Sequence, residues 1–164
     1  MSLRIHILNT DACIREISTA VPADKIASDE MQTFYDEMIE SMILANGIGI
    51  AATQVGRPIR AFVVSKEYTE NGDHLVLINP RLAGTSKKMF ELDQGCLSVP
   101  GVTGPVERPA KVRIKGFLRD GSKADIKAKG MLAQILQHEL DHLDATLFID
   151  KSPHLTTHDP AESQ

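Results

Sequence analysis

An α+β fold, with mostly antiparallel sheets packed around a buried helix, is what the sequence predicts. Three observations lead there. The segments run helix, several strands, helix, without β-α-β alternation. The strand-like runs are separated by short turn signals, Asn71-Gly72 and Asp120-Gly121, which suit antiparallel neighbours. The last helical segment is apolar on more than one side, and a helix of that kind is buried.

Taken in order, residues 25–45 predict an amphipathic helix. Met31, Phe34, Met38 and Met42 recur at helical spacing, and Asn46-Gly47 supplies a stop. The methionine stripe reads as core packing. AFVVSK (61–66) and HLVLINP (74–80) predict strands with the Asn71-Gly72 turn between them. VRIKGFLRDGSKADIKAKG (112–130) predicts a hairpin with Asp120-Gly121 at its tip. The final helix starts near Gly130, with Leu132, Leu136 and Leu143 on one stripe and Met131, Ile135, His138 and His142 on another. SPHLTTHDPAESQ is polar and aperiodic, so it is expected to fray, with His154 and His158 in solvent. No repeat or linker divides the chain. The expected organisation is one domain over residues 1–151 followed by a polar C-terminal tail, 152–164.

At 164 residues the chain can bury a core without disulfides, and its two cysteines, Cys13 and Cys96, are too few for a disulfide framework. A net charge of −4 argues against nucleic acid or an anionic membrane as the main partner. No apolar run approaches the roughly 18 residues of a membrane span. MSLRIHILNT lacks the apolar core of a signal peptide, so a cytoplasmic protein is expected.

The last helix carries QHELDH, residues 137–142, an H-E-x-x-H pattern. Residues four apart share a helix face, so His138 and His142 can grip one metal ion, and Glu139 beside the first can handle a water's proton. Two histidines at this spacing with a glutamate between them are an odd way to fill a core, so the buried helix is expected to be metal-binding. The third ligand must lie upstream. The long form of the motif needs glycine at 145 and histidine at 148, where this chain has Ala145 and Phe148. Glu162 sits in the polar tail. His6 and His74 lie in or beside apparent strands, and Cys13 lies in TDACIRE without a turn to present it. Cys96 sits in DQGCLSVPG, where glycine and proline permit sharp bends, and a thiolate with two imidazoles leaves a fourth position open. On its own, Gly-Cys-Leu-Ser is a weak signal. A third stretch, GIGIAATQVG (47–56), has the glycine spacing of a nucleotide-binding turn but follows a helix rather than a strand, which excludes that reading.

GIGIAATQ, GCLS and QHELDH, in this order and at these separations, resemble the three motifs of the peptide deformylases, and the similarity runs from about residue 3 to about residue 151. The SVPG form after the cysteine resembles the first major bacterial and organellar class. The resemblance implies removal of the formyl group from N-formylmethionyl peptides, the nascent chains, with release of formate. It implies that Cys96, His138 and His142 hold one divalent metal, natively ferrous iron, with zinc, nickel or cobalt as alternatives. It further implies that Glu139 is general base and then acid. Gln54 and the N–H of Leu97 would polarise the formyl oxygen, and Gly49 and Gly95 would bind substrate. Asp141 would either orient a ligand ring or stand as an exposed helix carboxylate. There are two departures. Gln94 stands where the family usually has glutamate, with Arg108 a candidate partner, and the chain stops before the further helix that many bacterial relatives use for ribosome docking. A peptide-binding relative without turnover and a general metalloprotease are the competing readings.

Overall fold

A computed structural model describes residues 1–8 and 10–159. The chain begins with an irregular segment and a single 3-10 turn, Ala12–Arg15, and then enters α1, Asp29–Leu44. The sequence placed this start at residue 25. Ser28 sets the later one: its hydroxyl accepts from the Met31 N–H, and Asp29 and Glu30 complement the positive end of the helix dipole. Met31, Phe34, Met38 and Met42 are all buried, as the stripe predicts.

Short β1, Gly49–Ala51, leads through a 3-10 turn, Ala52–Val55, to β2, Ala61–Val64, and β3, Leu75–Thr85. Between β2 and β3 lies a 3-10 turn, Lys66–Tyr68, and then Gly72, whose φ of 73° only glycine adopts at little cost. A long hairpin follows, β4 (Met89–Cys96) and β5 (Val99–Pro109), and then the predicted hairpin of β6 (Lys111–Leu118) and β7 (Lys123–Lys129). The chain closes with α2 (Gly130–Leu143), α3 (Phe148–Lys151) and β8 (Thr156–Thr157).

Five strands form one sheet in the order β1-β2-β3-β6-β7, and β4, β5 and β8 form a second; every strand pair is antiparallel. Alternate residues of β2 and β3 serve different cores. Val63, Val76 and Ile78 pack with α1, while Phe62, Val64 and Leu77 pack with Leu136 and Leu143 of α2. This holds α2 against the sheet with the second sheet on its other side, as the α+β reading predicts.

Two corrections follow. The β4–β5 hairpin was not predicted, because its residues do not alternate cleanly and glycine and proline interrupt them. The segment expected to fray instead pairs with β5, Val102 opposite Thr157 and Thr103 opposite Thr156. It lies close over Gly104, where a Cβ would meet the Ser152 hydroxyl and the His154 carbonyl. Residues 160–164 of the expected tail lie outside the described residues. No helix among the described residues is long and apolar enough to cross a membrane.

Candidate metal centre

α2 presents His138, Glu139 and His142 toward the turn that joins β4 to β5. Cys96 ends β4 there, followed by Leu97 and Ser98 in the turn. Its Sγ lies 3.3 Å from His142 Nε2, and one ligand atom from each of Cys96, His138 and His142 falls within 4.8 Å of the others. His6, His74 and Cys13 are outside this group. The His138 ring stacks on Phe148 of α3, and its Nδ1 lies 3.3 Å from Gln94 Oε1, which leaves Nε2 for a metal.

Burial controls the charge of these groups. It lowers His138 to about 4 and takes His142 well below its ordinary range, so both imidazoles are neutral, the form that ligates. Burial pushes the Cys96 thiol up to about 12, and the Glu139 carboxylate adds to the rise. Glu139 is itself raised to about 8 by burial. Two buried polar atoms here have no hydrogen-bond partner among the described residues, Glu139 Oε2 and His142 Nδ1. Unpaired buried groups of this kind are costly. Neutral imidazoles, a thiol that needs positive charge to ionise and an unpartnered carboxylate form a donor set that a divalent cation completes. The residues fit a metal.

Gln54 is fixed by its own carbonyl. Its Oε1 accepts from the Ala51 N–H at 2.9 Å, so its NH2 faces Ser98 Oγ at 3.1 Å and Cys96 Sγ at 3.5 Å. Ser98, fully buried, was not singled out from the sequence, although it is the last residue of GCLS. Gly49 has a steric reason to be glycine: a Cβ there would stand 2.5 Å from Glu139 Oε1. At Gly95 an added Cβ meets nothing closer than 3.6 Å, so only its place on the pocket wall supports the expected role. The pocket is a cleft of about 530 Å³, lined near the centre by Gly49, Gln54, Leu97 and Glu139. His158, exposed as expected, lines it too. Its N–H donates to Gly101 O, and its Nε2 lies 2.7 Å from Thr103 Oγ1. Only the strand pairing of β8 brings it there, and nothing local in the sequence signals that.

Arg108 is the partner of Gln94. The buried guanidinium donates to Gln94 Oε1 from Nη2 at 3.1 Å and to Asp141 Oδ2 from Nη1 at 2.6 Å. Asp141 also accepts from Lys151 Nζ at 2.9 Å. It therefore neutralises Arg108 and hydrogen-bonds no histidine ring among the described residues.

Comparison with known proteins agrees with this geometry. The polypeptide deformylase family model matches residues 4–158. The chain belongs to that family. Polypeptide deformylases are metal-dependent hydrolases that remove the N-terminal formyl group from nascent peptides. The peptide deformylase of Rhodopseudomonas palustris strain BisB5 is 41% identical over 153 residues, 92% of this chain and 86% of that protein. A probable peptide deformylase from Synechococcus phage S-SSM7 superposes with a TM-score of 0.84 at 39% identity, over 92% of this chain and 99% of that one. A class I type b deformylase from Acinetobacter baumannii, solved with Met-Ala-Ser bound, superposes at 0.85 with 30% identity, over 92% and 98% of the two chains.

The close approach of Gly49 to Glu139 carries a prediction for this deformylase. Gly49→Ala should displace the carboxylate and lower kcat by about 10- to 100-fold, the scale of a misplacement near 1 Å. Bound metal should stay stoichiometric, because Glu139 is outside the Cys96, His138 and His142 group. Metal analysis beside kcat measurement checks both halves. Unchanged kcat would mean that Glu139 tolerates the shift.

Proposed function

We propose that Cys96, His138 and His142 hold one divalent metal, natively ferrous iron, and that the site hydrolyses the formyl amide of N-formylmethionyl peptides in the cytoplasm. Zinc, nickel and cobalt suit the same donors. The observation that carries this reading is the unpartnered Glu139 carboxylate beside a Cys-His-His ligand set at the wall of an open cleft. When bound, the cation supplies Lewis acidity, polarising a carbonyl oxygen and lowering the pKa of water toward about 7.

The chain's residues do the rest. Glu139, buried beside the Cys96, His138 and His142 group, is ionised by the charge of a bound cation, so it takes a proton from the attacking water and returns it to the leaving amine. The Gln54 NH2, oriented because Gln54 Oε1 accepts from the Ala51 N–H, and the Leu97 N–H stabilise the developing oxyanion, typically worth about 3–4 kcal/mol per donor. β1 is an edge strand, so the backbone of Gly49 can pair with an extended peptide, with Gly95 on the facing wall of the cleft. Residues 1–151 form the catalytic domain, and β8 adds a strand from beyond it. Incubation with formyl-Met-Ala-Ser and detection of formate tests the whole reading. Peptide binding without formate release from metal-loaded protein would leave only a binding relative.

Gln94 sets a narrower expectation. Gln94→Glu places a carboxylate against the Arg108 guanidinium, and charge-assisted bonds are about twice as strong as neutral ones. It should raise Tm by roughly 2–4 °C, for about 1 kcal/mol, or improve metal retention, with kcat within about threefold of the parent. Thermal melts and assays after full metal loading check this. A silent parent beside a fast Gln94→Glu variant would overturn it.

A further inference from the structure

The net charge of −4 hides an asymmetry. Residues 111–129 carry seven basic and two acidic side chains, a net +5, so the remainder of the chain carries −9. The register sets like charges directly opposite each other, Lys111 facing Lys129 and Arg113 facing Lys127. Such pairs are destabilising. Asp125, which accepts from Arg113 at 2.6 and 2.7 Å and lies 3.8 Å from Lys115, relieves the Arg113–Lys127 pair, but no described carboxylate pairs with Lys111 or Lys129. Lysines on β7 guard an exposed sheet edge, but β6 lies between β3 and β7 and needs no such guard. All four facing cations line a second cleft, of about 690 Å³, separate from Cys96, His138 and His142. Tyr68 and the half-exposed Met131 line it as well, and Glu70 is its one carboxylate.

We propose that this cleft binds single-stranded RNA, with Lys111, Arg113, Lys127 and Lys129 on successive phosphates. Phosphate charge offsets the repulsion built into the register, and the tyrosine and apolar wall offer a stacking surface for bases. Single-strand binding sites combine these same two features. An open cleft with an apolar wall offers bases a place to stack that a flat anionic membrane would not use.

The test is fluorescence anisotropy of labelled oligouridine with the full-length, metal-loaded protein across about 50–200 mM salt. Four phosphate contacts predict a slope of log K against log salt of about −3, from roughly 0.7 per contact. Lys127→Glu with Lys129→Glu should weaken binding at least about tenfold and flatten that slope by about 1.4. Lys129→Glu alone turns a like-charged pair into an opposite one, so it should weaken RNA binding while Tm holds or rises. Lys127→Gln with Lys129→Gln repeats the test without charge reversal. Absence of binding at 50 mM salt, or an unchanged slope in both double variants, would overturn the proposal. So would capture by phosphatidylglycerol vesicles in preference to oligouridine, or salt-sensitive dimerisation through this face without RNA binding.

Discussion

Glu139→Ala is expected to keep one metal per chain while formate release falls by roughly 10²–10⁴-fold or more, the scale of general acid–base catalysis. The geometry separates the two outcomes. The group that could hold a metal contains Cys96, His138 and His142 but not Glu139, although Glu139 adjoins His138 on α2. Its carboxylate is buried, and Oε2 has no partner among the described residues. Removing a carboxylate that is unsatisfied in the protein alone leaves no donor stranded, so the fold should survive with little change in Tm. Glu139→Gln is the stricter form of the test, because glutamine keeps the shape and cannot shuttle the proton. Both variants should fall together. Wild-type formate release by either variant at full metal loading would remove Glu139 from proton transfer and leave Lewis acidity and the oxyanion donors as the whole of catalysis.

How far the sequence was legible depended on whether a signal was local. α1, the β6–β7 hairpin and α2 repeat or turn within a few residues, and each appears close to where the pattern places it. The start of α1 moved because a single serine hydroxyl, not the apolar stripe, decides where the helix begins. At the site, QHELDH declares itself through the i, i+4 geometry, whereas Cys96 is 42 positions before His138 and is meaningful only beside the other two motifs. The role of Arg108 was open because a buried cation needs a spatial partner. Its partners, Gln94 across the hairpin and Asp141 on α2, are brought together by packing rather than by spacing. His158 is exposed as expected, but its place on the cleft wall was not legible for the same reason. A polar dipeptide such as Thr156-Thr157 shows no strand pattern of its own, and its pairing exists only because β5 leaves an edge open.

Cys96→Ser is the second variant with a large effect, and Cys13→Ser is its control. The proposed ligand set takes a thiolate from Cys96, and a serine hydroxyl stays neutral and binds a divalent ion poorly. Loss of an outer partner of a metal site typically costs about 10- to 100-fold in affinity, so loss of a direct ligand should exceed that. The electrostatics add to the effect. Without a cation, burial and the neighbouring Glu139 oppose ionisation of Cys96, so under the proposed ligation it is a bound cation that stabilises the thiolate. Replacing it should empty the site and silence turnover together. Cys13 has a different environment. It packs partly buried against the cluster of Ile14, Val99 and Phe148, its thiol raised by burial and by Asp11 and Glu16, and it lies outside the Cys96, His138 and His142 group. Cys13→Ser should therefore cost about 1 kcal/mol of stability, the scale of burying a hydroxyl, and leave metal content and kcat near the parent. Metal analysis of both variants purified without oxygen, followed by formate assays, separates packing from ligation. Equal metal loss in the two would show that Cys96 is not the ligand. Full metal retention by Cys96→Ser would move the third ligand to another group facing His138 and His142.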